Sequence, residues 1–167
     1  IQGLRRAYRE RGGMMEAAKK TISQVKQESG VNACVECGRC TAACPMTEMY
    51  VNFSIAMSPR GIIKKAMVKE DLVHDENLWY CTECNSGTDV CPQGVSCRNL
   101  IRGLRDIALG EGLGDRAQVC PSCGDRFVAV PVESFVLSRL ADEAPRVHNL
   151  LKVCPSCRRD VYITRNA

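Results

Sequence analysis

A mainly helical protein with a small α+β segment near its C-terminal end is predicted on three observations. Apolar residues between positions 14 and 112 recur at helical rather than strand spacing. Eleven of the twelve cysteines fall into clustered runs rather than being scattered, two runs ending in Cys-Pro and a third group made of two Cys-Pro-Ser-Cys knuckles. Aromatic residues are scarce, with three Phe, four Tyr and one Trp in 167 residues, so an apolar core would be lean and something besides it helps hold the chain together.

Taken in order, residues 1–13 form a basic arm carrying Arg5, Arg6, Arg9 and Arg11, read as a solvated or partner-facing helix with Gly12-Gly13 as a hinge. A helix is predicted from Met14 to Gln27, with Ala18, Ile22 and Val25 as its apolar stripe and Gly30 as its stop. Next comes Cys34-Val-Glu-Cys37-Gly-Arg-Cys40-Thr-Ala-Ala-Cys44-Pro45. This C-x2-C-x2-C-x3-C-P spacing is that of proteins holding two iron–sulfur clusters. The first three thiolates wrap one cluster and the fourth points to its neighbour. Ser58-Pro59 starts a second helix, Ser as cap and Pro at the first helical position. Ile62, Ile63, Ala66 and Met67 are expected on one face of it, with Lys64, Lys65 and Lys69 on or near the other. Both cysteine loops are thus flanked by helices, which predicts an α-helical ferredoxin over residues 14–112.

The second run is Cys81-Thr-Glu-Cys84-Asn-Ser-Gly87-Thr-Asp-Val-Cys91-Pro92. It has the same frame, except that Gly87 stands at the third ligand position. Crossed ligation assigns Cys34, Cys37, Cys40 and Cys91 to cluster one, and Cys44, Cys81 and Cys84 to cluster two. Cluster two then lacks a fourth cysteine from the motif. Three arrangements remain open: a three-iron cluster; a four-iron cluster whose odd iron takes water, a hydroxyl or the Asp89 carboxylate; or substitution by Cys97. Cys97 also opens a helical core face with Leu100, Ile101, Leu104, Ile107 and Ala108, where a buried cysteine acts as a small hydrophobe.

Residues 113–118, beginning Leu113-Gly114-Asp115, are read as a linker. Residues 119–167 hold Cys120-Pro-Ser-Cys123 and Cys154-Pro-Ser-Cys157, two knuckles whose four sulfurs suit a closed tetrahedral zinc site. Rubredoxin-like iron or a third cluster is the alternative occupant. A strand at Phe127 to Val130, a helical turn or two at Ser134 to Leu140 and a second strand at Val161 to Thr164 would make a zinc ribbon with a helical insert. The metal would fold a segment poor in apolar residues.

Composition removes several function classes. No uninterrupted run of 18 apolar residues is present, so no membrane insertion is expected. No signal-peptide stretch is read at the N-terminus, so a reducing cytoplasm is expected, with metal or redox chemistry instead of disulfides. The formal charge of +4 sits in residues 1–30. Three four-thiolate metal sites would bring the net charge to roughly −2, which argues against a nucleic-acid partner. No dinucleotide fingerprint, P-loop or Cys/His nucleophile pair is found. His74 is read as a surface residue and His148 as surplus to a complete four-cysteine set. Trp79-Tyr80, directly before Cys81, combine core packing with shielding of a cluster from water.

Residues 14 to about 112 resemble the iron–sulfur C-type subunits of heterodisulfide reductases. The resemblance is carried by CVECGRCTAACPM, SPRGIIKKAM, LWYCTEC, CPQGV and the NLIRGLR helix, in that order. It implies two 4Fe–4S clusters that relay electrons from a flavin-bearing A-type subunit to a catalytic, disulfide-cleaving B-type subunit. Gly87 departs from that family, which has Cys there, and the C-terminal knuckles are an addition to its smaller members. The expected role is an electron-transfer subunit that is not catalytic alone. Alternatives are an iron–sulfur subunit of a quinone-linked or hydroxy-acid dehydrogenase complex and a redox-sensing regulator that binds nucleic acid. A further one is a hydro-lyase-like site at an open iron, for which Asp89, Ser86 and Thr88 are the available groups.

Overall fold

The computed structural model describes residues 20–68 and 72–165. Helix α1 spans Ile22–Glu28. Thr21 caps it reciprocally: its hydroxyl accepts from the Gln24 amide, and the Gln24 side chain accepts from the Thr21 amide at 2.8 Å. Gly30, at φ 69, takes the left-handed conformation that ends it. The basic arm, its Gly12-Gly13 hinge and the Met14–Lys19 part of the predicted helix lie outside the described residues.

The first cysteine run carries the single-turn helices α2, Arg39–Ala42, and α3, Met46–Met49. Helix α4, Pro59–Val68, begins where the Ser-Pro pair predicts, the Ser58 hydroxyl accepting from the Gly61 amide at 3.1 Å. Ile62, Ile63 and Ala66 are buried, but Met67 is 38% exposed, a correction to its predicted place on the inner face. It lies at the rim, just past the turn that faces the core. On the outer side, Lys64 and Lys65 pair with Glu36 and Asp75.

A 3₁₀ turn over Glu76–Tyr80 leads into the second cysteine run, which carries α5, Ser86–Asp89. Helix α6, Cys97–Gly110, follows, capped by Ser96. Leu100, Ile101, Leu104 and Ala108 on its inner face are essentially inaccessible. Each such leucine or isoleucine contributes about 1.5–3 kcal/mol of burial. Helix α1 lies close against α6 because Gly103 has no side chain: a Cβ there would stand 2.7 Å from Val25 Cγ1.

The C-terminal segment begins with an antiparallel hairpin of β1, Ala117–Val119, and β2, Arg126–Ala129, in the register Ala117↔Ala129 and Gln118↔Val128. Three helices follow: α7, Val130–Arg139, α8, Pro145–Leu151, and α9, Pro155–Arg165. The second strand expected at Val161 to Thr164 is instead the end of α9. Pro155, directly after Cys154, opens a helix that runs through the β-branched residues and overrides their strand preference. The hairpin is closed by β1, in a stretch whose sequence reads as linker and knuckle.

One buried cluster runs from Val25 and Val31 through Ile62, Leu78, Trp79 and the α6 stripe to Ala117 and Ala129. The C-terminal hairpin therefore shares the core of the helical part. A smaller cluster of Cys44, Met46 and Met57 lies beside the cysteine runs, with Tyr50, Phe53 and Tyr80 against it.

Candidate metal centres

The two cysteine runs repeat the plan Cys-x-Glu-Cys, and both glutamates adopt the left-handed region, Glu36 at φ 52 and Glu83 at φ 55. This conformation turns the loop sharply, so cysteines three apart can face the same side; it costs a non-glycine residue about 1–2 kcal/mol. Each glutamate is tied down by cations from a helix across the loop. Glu36 accepts from Arg60 at 3.1 Å and Lys64 at 3.0 Å, both on α4. Glu83 accepts from Arg105 at 2.7 Å and lies 3.4 Å from Arg102, both on α6. The Lys64 and Arg60 hydrogen bonds hold the Glu36 carboxyl below its ordinary range.

Arg105 is buried at 7% exposure. Besides Glu83, its guanidinium donates to the Leu78 carbonyl and, at 2.7 Å, to the Cys81 carbonyl, and it lies 5.6 Å from the centre of the Trp79 ring. Trp79 is thus a core residue, packed beneath the guanidinium that holds the Cys81 carbonyl. Tyr80 stacks edge-on against Tyr50 at 5.2 Å, and the Tyr50 hydroxyl donates to the Tyr80 carbonyl at 3.1 Å. These contacts fix the backbone immediately before the second run.

Cys44, from the end of the first run, lines one cavity together with Cys81 and Cys84 from the second. This is the meeting that crossed ligation requires. Gly87 and Cys97 line the same cavity. A Cβ placed on Gly87 would stand 3.3 Å from Cys40 Cβ and 3.5 Å from Pro59 Cγ, so the wall is close-packed there. Two other lining residues, Thr88 and Arg98, hold buried donors, Oγ1 and Nε, that have no protein partner. Buried donors without partners are costly, and here they border a cavity of soft thiolate donors. The donor set and the orphaned groups fit an anionic sulfur-rich cluster whose sulfurs accept hydrogen bonds.

The thiols around this cavity are pulled in different directions. Burial pushes Cys81 up to about 11, against the Glu83 amide, which donates to its sulfur at 3.3 Å, and the Arg105 charge. Burial also raises Cys44. At Cys84 burial acts upward too, but the Ser86 hydroxyl and amide outweigh it and the thiol is lowered.

Around the first run, burial and the neighbouring Cys34 and Cys37 thiols raise Cys40, which places these three sulfurs in one another's field. Cys91 borders a groove with Arg39, Ala42 and Ala43 of the first run. The Val95 amide donates to the Cys91 sulfur at 3.3 Å. Asp89 lines that groove and is exposed, and it is absent from the wall of the Cys44–Cys81–Cys84 cavity.

The four cysteines of the C-terminal knuckles converge. Sulfurs of Cys120, Cys123, Cys154 and Cys157 all lie within 4.8 Å of one another, and Cys123 and Cys154 are 3.7 Å apart. Tetrahedral coordination of one ion at about 2.3 Å per sulfur requires about 3.8 Å between sulfurs. The arrangement therefore suits one ion. Cys120, buried directly after β1, sits between opposing influences. Burial raises it, but the amides of Cys154, Cys123 and Ser122 bring it down to about 6. His148 takes no part: its Nε2 lies 2.6 Å from the Leu140 carbonyl oxygen. His74 is at the surface, 4.0 Å from Glu111.

Sequence reasoning missed Arg105 and the paired glutamates. The signals were there: Cys-x-Glu-Cys occurs twice, and Arg105 directly follows Leu104 on the apolar side of α6. Neither pattern says which cation a glutamate will meet, since that depends on how the helices pack.

Two family models, each described as a 4Fe-4S dicluster domain, match this chain, one over residues 30–95 and one over residues 3–47. Among similar proteins is the C subunit of the ferredoxin:CoB-CoM heterodisulfide reductase of Methanosarcina acetivorans. It is 33% identical over 101 residues, covering 60% of this chain and 38% of that protein. The iron-sulfur C 2 subunit of the CoB–CoM heterodisulfide reductase of Methanocaldococcus jannaschii is 30% identical over 100 residues, 59% of this chain and 50% of its own. The C subunit of the H(2):CoB-CoM heterodisulfide,ferredoxin reductase of Methanothermobacter marburgensis is 31% identical over 98 residues, 56% and 50% of the two chains. The match thus spans half or less of these relatives' lengths. Among the described residues, no helix is long and apolar enough to cross a membrane.

Proposed function

As a homologue of the C subunits of heterodisulfide reductases carrying a 4Fe–4S dicluster domain, this chain, we propose, is the electron-transfer iron–sulfur subunit of a complex of that type. In this reading Cys34, Cys37, Cys40 and Cys91 hold one cluster, and Cys44, Cys81 and Cys84 hold the other. Cys120, Cys123, Cys154 and Cys157 hold one zinc that closes the C-terminal segment. Bound cubane clusters each carry one electron at a potential set by charge, hydrogen bonds and exposure. The observation that supports the relay is the cavity where Cys44 meets Cys81 and Cys84. A cysteine of the first run at the second site forces the two sites to be neighbours.

The chain's own residues supply position and environment. Glu36 and Glu83 shape the turns, and Arg105 fixes the backbone around Cys81. Thr88 and Arg98 offer hydrogen bonds that favour a more reduced, more negative site. The partners proposed are a flavin-bearing subunit that donates electrons and a catalytic subunit that reduces a disulfide, in an anaerobic cytoplasm.

An anaerobic reductive titration of the purified protein tests this. Uptake of two electrons per chain in one-electron steps, followed by reoxidation on adding the disulfide-reducing catalytic subunit with its disulfide, is expected. Loaded clusters that take up no electrons at any accessible potential would overturn the role.

A further inference from the structure

We propose that Cys97 supplies the fourth thiolate of the second cluster site, in place of the cysteine that Gly87 lacks. This rests on the reading of Cys44, Cys81 and Cys84 as cluster ligands and completes their set.

The argument is geometric. Cys97 lines the same cavity as those three thiols, although it lies outside the repeated motif. Gly87 is on the wall too, so the missing ligand and its substitute face one space. Cys97 is 4% exposed, and its thiol lies 3.9 Å from the Pro59 carbonyl, a weak contact that leaves the sulfur without a strong partner. Asp89 is excluded by position: it lines the groove on the Cys91 side and is exposed.

The local structure also favours a thiolate at this point. Cys97 is the first residue of the 14-residue helix α6, whose N-terminal amides favour negative charge there. Thr88 and Arg98, whose Oγ1 and Nε have no protein partner, line the same cavity and are available to the sulfurs of a cluster held there.

The test uses the full chain purified and kept anaerobic. Wild type should hold about eight irons, show no three-iron EPR signal after mild oxidation, and keep its reduced spectrum when cyanide is added. Cys97→Ala should lose one iron per chain and gain a three-iron signal of about one spin, while the first cluster's signal and the zinc content stay unchanged. A wild type that shows the three-iron signal or responds to cyanide would overturn the assignment, and these measurements decide it even if the variant does not fold. A folded Cys97→Ala protein with unchanged iron and spectrum would overturn it as well. Absence of all cluster iron from wild type would instead overturn the parent reading of the cysteine runs.

Discussion

In the first cysteine loop the turn-forming glutamate, Glu36, is held at the surface by Arg60 and Lys64, side chains 39% and 58% exposed. In the second loop, Glu83 is held from inside by Arg105, 8% exposed and shared with the Leu78 and Cys81 carbonyls. The same Cys-x-Glu-Cys plan and the same left-handed turn thus rest on different supports. Exposed ion pairs contribute about 0–1 kcal/mol each, whereas removing one partner of a buried pair costs about 3–5 kcal/mol. The first loop is supported from the surface; the second is tied to the buried guanidinium of Arg105.

The sharpest way to break this contrast is Arg105→Met. It leaves Glu83 and two carbonyls without their donor, and a loss of about 3–5 kcal/mol is expected in anaerobic denaturant unfolding, together with loss of iron from the second site only. A smaller loss than that of an exposed pair would mean the guanidinium is not a support. Glu83→Gly relieves the left-handed strain but strands Arg105, and a net loss of about 2 kcal/mol is expected. Glu36→Gly relieves the same strain at the expense of exposed pairs, and stability should stay within about 0.5 kcal/mol of wild type. Equal effects of the two glycine substitutions would erase the distinction between the loops.

The asymmetry was only partly legible in the chain. Cysteine spacing reveals the two runs, because ligand spacing is local and stereotyped, and it predicts the meeting of Cys44 with Cys81 and Cys84 on one cavity. The helix starts at Ser58-Pro59 and at Cys97 are equally visible, since caps and apolar stripes act over a few residues. Arg105 is invisible as a ligand-loop support because its partners, Leu78, Cys81 and Glu83, are more than twenty residues away. The Val161 to Thr164 segment reads as strand from its β-branched residues, yet Pro155 had already committed that stretch to a helix. Choosing between Asp89 and Cys97 needed the fold, because both follow Gly87 closely and only one turns toward Cys44.

A smaller effect concerns the approach to the second loop. Asp75 caps the turn that leads to Cys81 and accepts from Lys65 at 2.6 Å, both side chains partly buried. Burial raises its carboxyl, but the Lys65 and Asn77 hydrogen bonds outweigh burial and hold it below the ordinary value. A lowered carboxyl contributes stability above its unfolded pKa, about 3.9, and loses it as pH falls through the folded value. Asp75→Asn should therefore cost about 1 kcal/mol at neutral pH and flatten this acid-side loss. A variant whose stability falls with acid as steeply as wild type would show that Asp75 is not the titrating group.

Iron, sulfide and zinc analysis of the anaerobically purified protein, joined to EPR of the reduced state, bears most directly on the two interlocked cluster sites. About eight irons with matching sulfide, about one zinc and two interacting reduced-cluster signals per chain are the predicted result. A colourless protein, with these cysteines joined as disulfides or filled by zinc alone, would contradict it.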